Sequence, residues 1–190
     1  MKRIALLLLL AAATAAFAQA PTRVRGTITA LSGDVLSVKS RDGKDLAIQL
    51  APDVGVSTAK STTLAELKGK YVGVTAVSKD GKLVALEVHQ LPPQAPPGHM
   101  PWDLQPGSTM TNATLEGIAQ VGGGNQITMK YKDGSQTILV PPGTPVVTFV
   151  PGSRADLKPG EYIWTSARQE GGKLVSQRLN VSKDGVKPPH

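Results

Sequence analysis

The side chains with the most chemical potential cluster around one Pro-rich stretch. His89, His99, Met100 and Met110 lie in or beside it, and imidazole with thioether is the donor set of soft, copper-type metal centres. These four are the candidate metal ligands, although no His-x-x-x-His pair and no Cys reinforces them. Catalytic signatures are missing: there is no Gly-x-Ser-x-Gly elbow, no His-Glu-x-x-His helix and no phosphate loop ahead of a helix. Gly122-Gly123-Gly124 reads as a hairpin turn rather than a phosphate cradle. The chain is therefore expected to be non-enzymatic, with no catalytic residue and no cofactor.

Two tryptophans are the candidate partner contacts. Trp102, followed by Asp103, sits in Pro101-Trp102-Asp103-Leu104. A Trp in such a link is expected to lie on a neighbouring domain, with a role as a binding anchor as the alternative. Trp164 falls in an apolar strand and is expected to pack a core, with an outward stacking platform as its alternative.

Around these residues the chain repeats. Sliding it by 91 residues superposes Gly26 on Gly117, Gly33 on Gly124, Lys39 on Lys130 and Asp42-Gly43 on Asp133-Gly134. The same offset later brings Gly69 onto Gly160, Tyr71 onto Tyr162 and Gly81-Lys82-Leu83-Val84 onto Gly172-Lys173-Leu174-Val175. Two copies of one domain-sized unit follow. Within each, apolar residues alternate with polar ones, as at Val24 to Ala30, giving half-buried strands joined by Gly-containing turns. Thr63-Leu64-Ala65-Glu66 and Ser153-Arg154-Ala155-Asp156 have the form of capping boxes, so one short helical turn is expected per copy.

The predicted fold is all-β: two tandem small OB-like barrels of five to six strands, each with one helical turn, with a small two-sheet sandwich as the alternative that this strand number also allows. The expected boundaries are 19–91 and 113–182, with 183–190 as a tail. The intervening segment 92–112 carries Pro92, Pro93, Pro96, Pro97, Pro101 and Pro106 and is expected to be a semi-rigid spacer that forms no sheet strand.

Lys2 and Arg3, the apolar run from Ile4 to Ala13 and Ala16-Phe17-Ala18 form a secretory signal, residues 1–18, with cleavage expected after Ala18. A periplasmic or secreted protein is implied, with no transmembrane segment left after cleavage. The net charge of +7 includes Lys2 and Arg3. The remaining excess is spread, with 10 basic and 7 acidic residues over 21–91 and 7 and 5 over 112–182. Aromatics make up 4% of the chain. A basic face interleaved with aromatics, which nucleic acid requires, is not present, so no nucleic-acid partner is expected.

The chain resembles a family of small exported proteobacterial proteins of unknown function built from tandem OB-like barrels. The resemblance rests on Arg25-Gly26-Thr27-Ile28, Lys39 to Gly43, the turns at Ala65 and Ala155, Pro101 to Leu104 and Ser108 to Ala113. Proteins of this kind are often catalogued as metal-transporter permease components, a role that the lack of spanning helices here does not fit. The resemblance implies the fold and an exported location, and brings no ligand with it. The functional expectation is a binding or scaffolding module for a cell-envelope polymer or protein, with a copper-type metal-handling role as the alternative and an enzyme of unknown class third.

Overall fold

The computed structural model describes residues 20–188, so the signal expected at 1–18 and the terminal His190 lie outside the described residues. The chain opens with β1 (Thr22–Ser32), β2 (Val35–Ser40) and β3 (Asp45–Ser61), paired antiparallel in sequence. Their alternation behaves as expected: Val24, Ile28, Leu36, Val38, Ile48 and Leu50 are buried, while intervening residues such as Lys39 reach solvent.

The strands that close this sheet come from the far end of the chain. β11 (Tyr162–Glu170) and β12 (Lys173–Val181) form a hairpin. β11 runs antiparallel to β1, and β12 runs parallel to β3 from Leu174 opposite Ile48 to Val181 opposite Thr58. The circuit β1-β2-β3-β12-β11-β1 is a closed five-stranded barrel. A second circuit joins β4 (Tyr71–Lys79), β5 (Lys82–Gln90), β7 (Ser108–Val121), β8 (Gly124–Tyr131) and β9 (Gly134–Val140). Here β5 runs parallel to β9, with Leu83 opposite Ile138. Both circuits follow the strand order of an OB barrel.

The all-β barrel architecture is as expected, but the barrels are not the two sequence copies. Barrel one takes three strands from the first copy and two from the second, and barrel two takes the complement. The boundaries 19–91 and 113–182 thus cut through both. Barrel two is continuous from α1 to β9, and barrel one is assembled from the flanking segments. Their cores separate accordingly: Val24, Ile28 and Ile48 pack with Ile163 and Leu179, and Val72 and Val74 pack with Leu115, Ile127 and Ile138.

The helical turns show the exchange most directly. In α1 (Leu64–Leu67), Thr63 Oγ1 accepts from the Glu66 N–H at 3.2 Å, and the Thr63 N–H donates to Glu66 Oε2 at 3.1 Å, completing the expected capping box. At the 3₁₀ turn Arg154–Asp156, the Ser153 N–H donates to Asp156 Oδ2 at 2.8 Å. Leu67 follows directly from β3 yet is buried in barrel two, while its counterpart Leu157 is buried in barrel one. Between the barrels, β10 (Val146–Pro151) pairs antiparallel with the end of β3 and parallel with β5.

The repeat offset is also not constant. Ala30 stands opposite Ser37, and Gly117 stands opposite Thr128. Ser37 and Thr128 are 91 apart, but Ala30 and Gly117 are 87 apart. The register breaks, between Ile28 and Ala30 and between Leu115 and Gly117, share that shorter interval. The second copy's first hairpin is longer, so Gly26 matches Ala113 in space rather than Gly117.

The Pro-rich segment departs from expectation as well. β6 (Gly98–Pro101) pairs with β7, from Gly98 opposite Asn112 to Pro101 opposite Thr109. The prolines flank a short window, 98–100, whose N–H groups remain available, and Pro101 occupies only the strand's last position. Among the described residues, no helix is long and apolar enough to cross a membrane.

Candidate binding cleft between the barrels

Alternation on β4 sends Val72, Val74 and Ala76 into barrel two and presents Gly73 and Thr75 on its outer face. Cross-strand neighbours extend this face in two rows. One runs His89, Gly73, Asn112; the other runs Glu87, Thr75, Met110, Met100. Barrel one has the corresponding face, with the row Asn180, Trp164, Arg25 and, one step along, Ser166 beside Arg23. Trp164 thus occupies in barrel one the place of Gly73 in barrel two. A Cβ at Gly73 would lie 2.6 Å from His89 Nε2, so this glycine is what lets the imidazole lie across the strand.

A cleft of about 680 Å³ opens between these elements. Trp102, Trp164, Phe149, His89, Met110 and Asn112 line it, together with Pro92 and Pro93 and the β12 residues Arg178 to Asn180. Its volume lies within the roughly 300–1,000 Å³ typical of ligand sites.

Trp102 is docked on barrel one, as expected for a Trp in this link. The Arg23 guanidinium lies 4.0 Å from the Trp102 ring centroid, and the Trp102 backbone N–H donates to the Ser108 carbonyl at 2.8 Å. Asp103 clamps the same site. It accepts from Arg25 Nη2 at 2.8 Å and Nη1 at 3.3 Å, and Arg23 Nη1 lies 3.3 Å away. Partial burial pushes the Asp103 carboxyl up, but the Arg25 hydrogen bond and charge, with those of Arg23, outweigh it and hold the group below its ordinary value. Arg25 itself is buried, so this contact also neutralises an interior cation.

The link is held along its length. Tyr71 Oη donates to the Ala95 carbonyl at 3.0 Å and Asn112 Nδ2 to the Pro96 carbonyl at 2.9 Å. Burial pushes the Tyr71 phenol up. The segment expected to be a spacer is a strap bound to both barrels.

Trp164 does not pack the core. Its neighbours Ile163, Thr165 and Ala167 are buried inward, and Trp164 takes the opposite face. Its Nε1 is buried with no hydrogen-bond partner among the described residues, as is Asn112 Oδ1. A donor and an acceptor are thereby left unsatisfied along the cleft's walls.

The four metal candidates do not converge. His89 and Met110 share the cleft, with Met100 the cross-strand neighbour of Met110. His99 takes the other side of β6, where its Nδ1 lies 2.8 Å from Thr111 Oγ1. Beneath the cleft, Thr75 Oγ1 donates to Glu87 Oε1 at 2.7 Å and lies 4.0 Å from Met110 Sδ. Among the described residues no group of three His, Cys, Asp or Glu gathers to hold an ion.

The sequence assigns no site role to Arg23, Arg25, Asn112, Phe149 or Arg178. The Gly73-to-Trp164 exchange was the available signal, because it marks the row in which the copies differ. No family model, curated protein or solved structure matches the chain. The family resemblance gains no support from these comparisons.

Proposed function

We propose that the chain is an exported, non-enzymatic binding module that holds a cell-envelope polymer in the cleft between its barrels. The observation that carries this reading is that Trp102 and Trp164, from the strap and from β11, line the same cleft. Aromatic faces supply large contact area at small entropic cost, and the amides of Asn112 and Asn180 both donate and accept. Prolines 92 and 93 stiffen one wall, so little ordering is needed on binding. The Lys2-to-Ala18 pattern supports the envelope location.

Titration of the full mature chain with soluble glycan strands released from cell envelopes tests the reading. Saturable change in tryptophan emission is expected, and calorimetry should show binding lost in the Trp102→Ala, Trp164→Ala double variant, which keeps its circular dichroism but no tryptophan. Unchanged emission at saturating polymer, with no binding by calorimetry, would overturn it.

A further inference from the structure

The cleft does not end at Trp164. A second depression of about 360 Å³ runs along the outer face of barrel one, and Trp164 and Arg178 line both. Ser166, Arg168, Glu170 and Gln177 supply the rest of its polar lining. The stretch from Trp164 to Glu170 is about 20 Å of strand at roughly 3.3 Å per residue. The site is therefore a groove long enough for an oligomer, with the indole at its middle.

Its charge is specific. Arg168 and Arg178 are exposed, and neither guanidinium makes an ion pair or side-chain hydrogen bond among the described residues. By contrast, Arg23, Arg25 and Arg154 are all engaged with carboxylates. Among the described residues no carboxylate lines the cleft, and the outer depression has one, Glu170. Two free guanidiniums beside an indole suit a ligand with a flat apolar face and sparse carboxylates. Ser166 and Gln177 add groups that both donate and accept, which a hydroxyl-rich ligand needs.

Resting on the binding reading above, we infer that the polymer is an acidic glycan, stacked on Trp164 with its carboxylates paired to Arg168 and Arg178. Single-stranded nucleic acid fits less well. A nucleotide chain requires a track of cations along its phosphates, whereas the cleft that holds Trp102, Phe149 and Trp164 has Arg178 as its one Arg or Lys among the described lining residues. Among those residues the outer depression adds no aromatic beyond Trp164, and Glu170 would face a phosphate chain.

The test uses the full mature chain in calorimetry with three probes: an oligogalacturonate, a neutral maltooligosaccharide of equal length, and an oligothymidylate. The oligogalacturonate is expected to bind tightest. Arg168→Gln with Arg178→Gln should weaken it by about tenfold or more, and both positions are exposed, so the fold should be retained. Equal affinity for the neutral oligomer, preference for the oligothymidylate, or unchanged oligogalacturonate affinity in the double variant would overturn the acidic assignment. If envelope glycan strands still quench the tryptophans, the broader reading survives that result. If no probe and no glycan strand binds, both fall.

Discussion

Ala59 faces Phe149 at the middle of the antiparallel pair β3–β10. The interval of 90 residues between them is also the interval between the cap residues Thr63 and Ser153. A residue opposite its own repeat partner lies on a local two-fold axis. The flanking pairs, Ser61 with Val147 and Ser57 with Pro151, interchange under the same operation. So do the parallel closures, Leu83 with Ile138 and Leu174 with Ile48. Two copies have exchanged their last two strands about this axis, and the inter-barrel cleft is a product of that exchange.

Cutting the strap should therefore not separate the copies. With a protease site inserted at Gln94, which is exposed, the cleaved halves are expected to co-elute as one species with unchanged β-sheet circular dichroism. Each half leaves two barrels open, with three strands of one and two of the other. Halves that elute apart as folded monomers would show that each copy closes its own barrel.

The parts of this architecture visible in the sequence are those set locally. Asp80-Gly81 and Gly171-Gly172 take the paired positive φ of tight hairpins, and the Thr63 box forms where its residues predict. The exchange is invisible because both closures satisfy the same pattern: Ile48 is equally suited to Leu83 or Leu174. What decides is that β3 runs straight on to Ser61 and delivers Leu67 to the other barrel, a property of chain path rather than periodicity. Trp102 and Trp164 stood out as residue types, but their meeting depends on the exchange. Nothing in the spacing of Arg23 and Arg25 marks them, because Asp103 reaches both only through the folded strap.

The shifted repeat register separates two glycines that the 91-residue offset equates. A Cβ at Gly26 would sit 2.3 Å from the Lys39 carbonyl oxygen and 2.8 Å from Ser40 Cα, so backbone must move. At Gly117 the nearest atoms are those of Thr128 at 3.5 Å, an ordinary contact. Gly26→Ala is expected to cost about 3 kcal/mol. Gly117→Ala should be neutral or stabilising by up to about 1 kcal/mol through the unfolded chain. Chemical denaturation measures both, and equal losses would restore the constant offset.

Asp103 makes the strap acid-sensitive. Its folded carboxyl lies below its ordinary value, so its contribution is complete above the unfolded pKa of about 3.9 and is lost as pH falls through the folded one. Charge-assisted hydrogen bonds contribute about 1.5–3 kcal/mol. Solvent screening of a side chain 45% exposed reduces this to about 1–2 kcal/mol. Asp103→Asn should lose that amount at pH 7 and show a flatter stability profile below pH 4 than the native chain. Parallel profiles for the two proteins would rule out the clamp.

The Arg23–Trp102 contact can be separated from that clamp, because Arg23 has two partners, the indole face at 4.0 Å and Asp103 at 3.3 Å. In an Asp103→Asn background only the indole remains, so a cycle of Arg23→Gln and Trp102→Leu isolates it. A guanidinium over a half-buried indole contributes about 0.5–1 kcal/mol or somewhat more, and that coupling is the expected result of thermal or denaturant unfolding across the four variants. The emission of Trp102 supplies a second readout. With Trp164→Phe as background, Arg23→Gln should shift the remaining tryptophan to the red as the ring loses its cover. A coupling near zero with no spectral shift would mean that Trp102 is placed by the strap's own backbone, through Ser108, and owes nothing to barrel one.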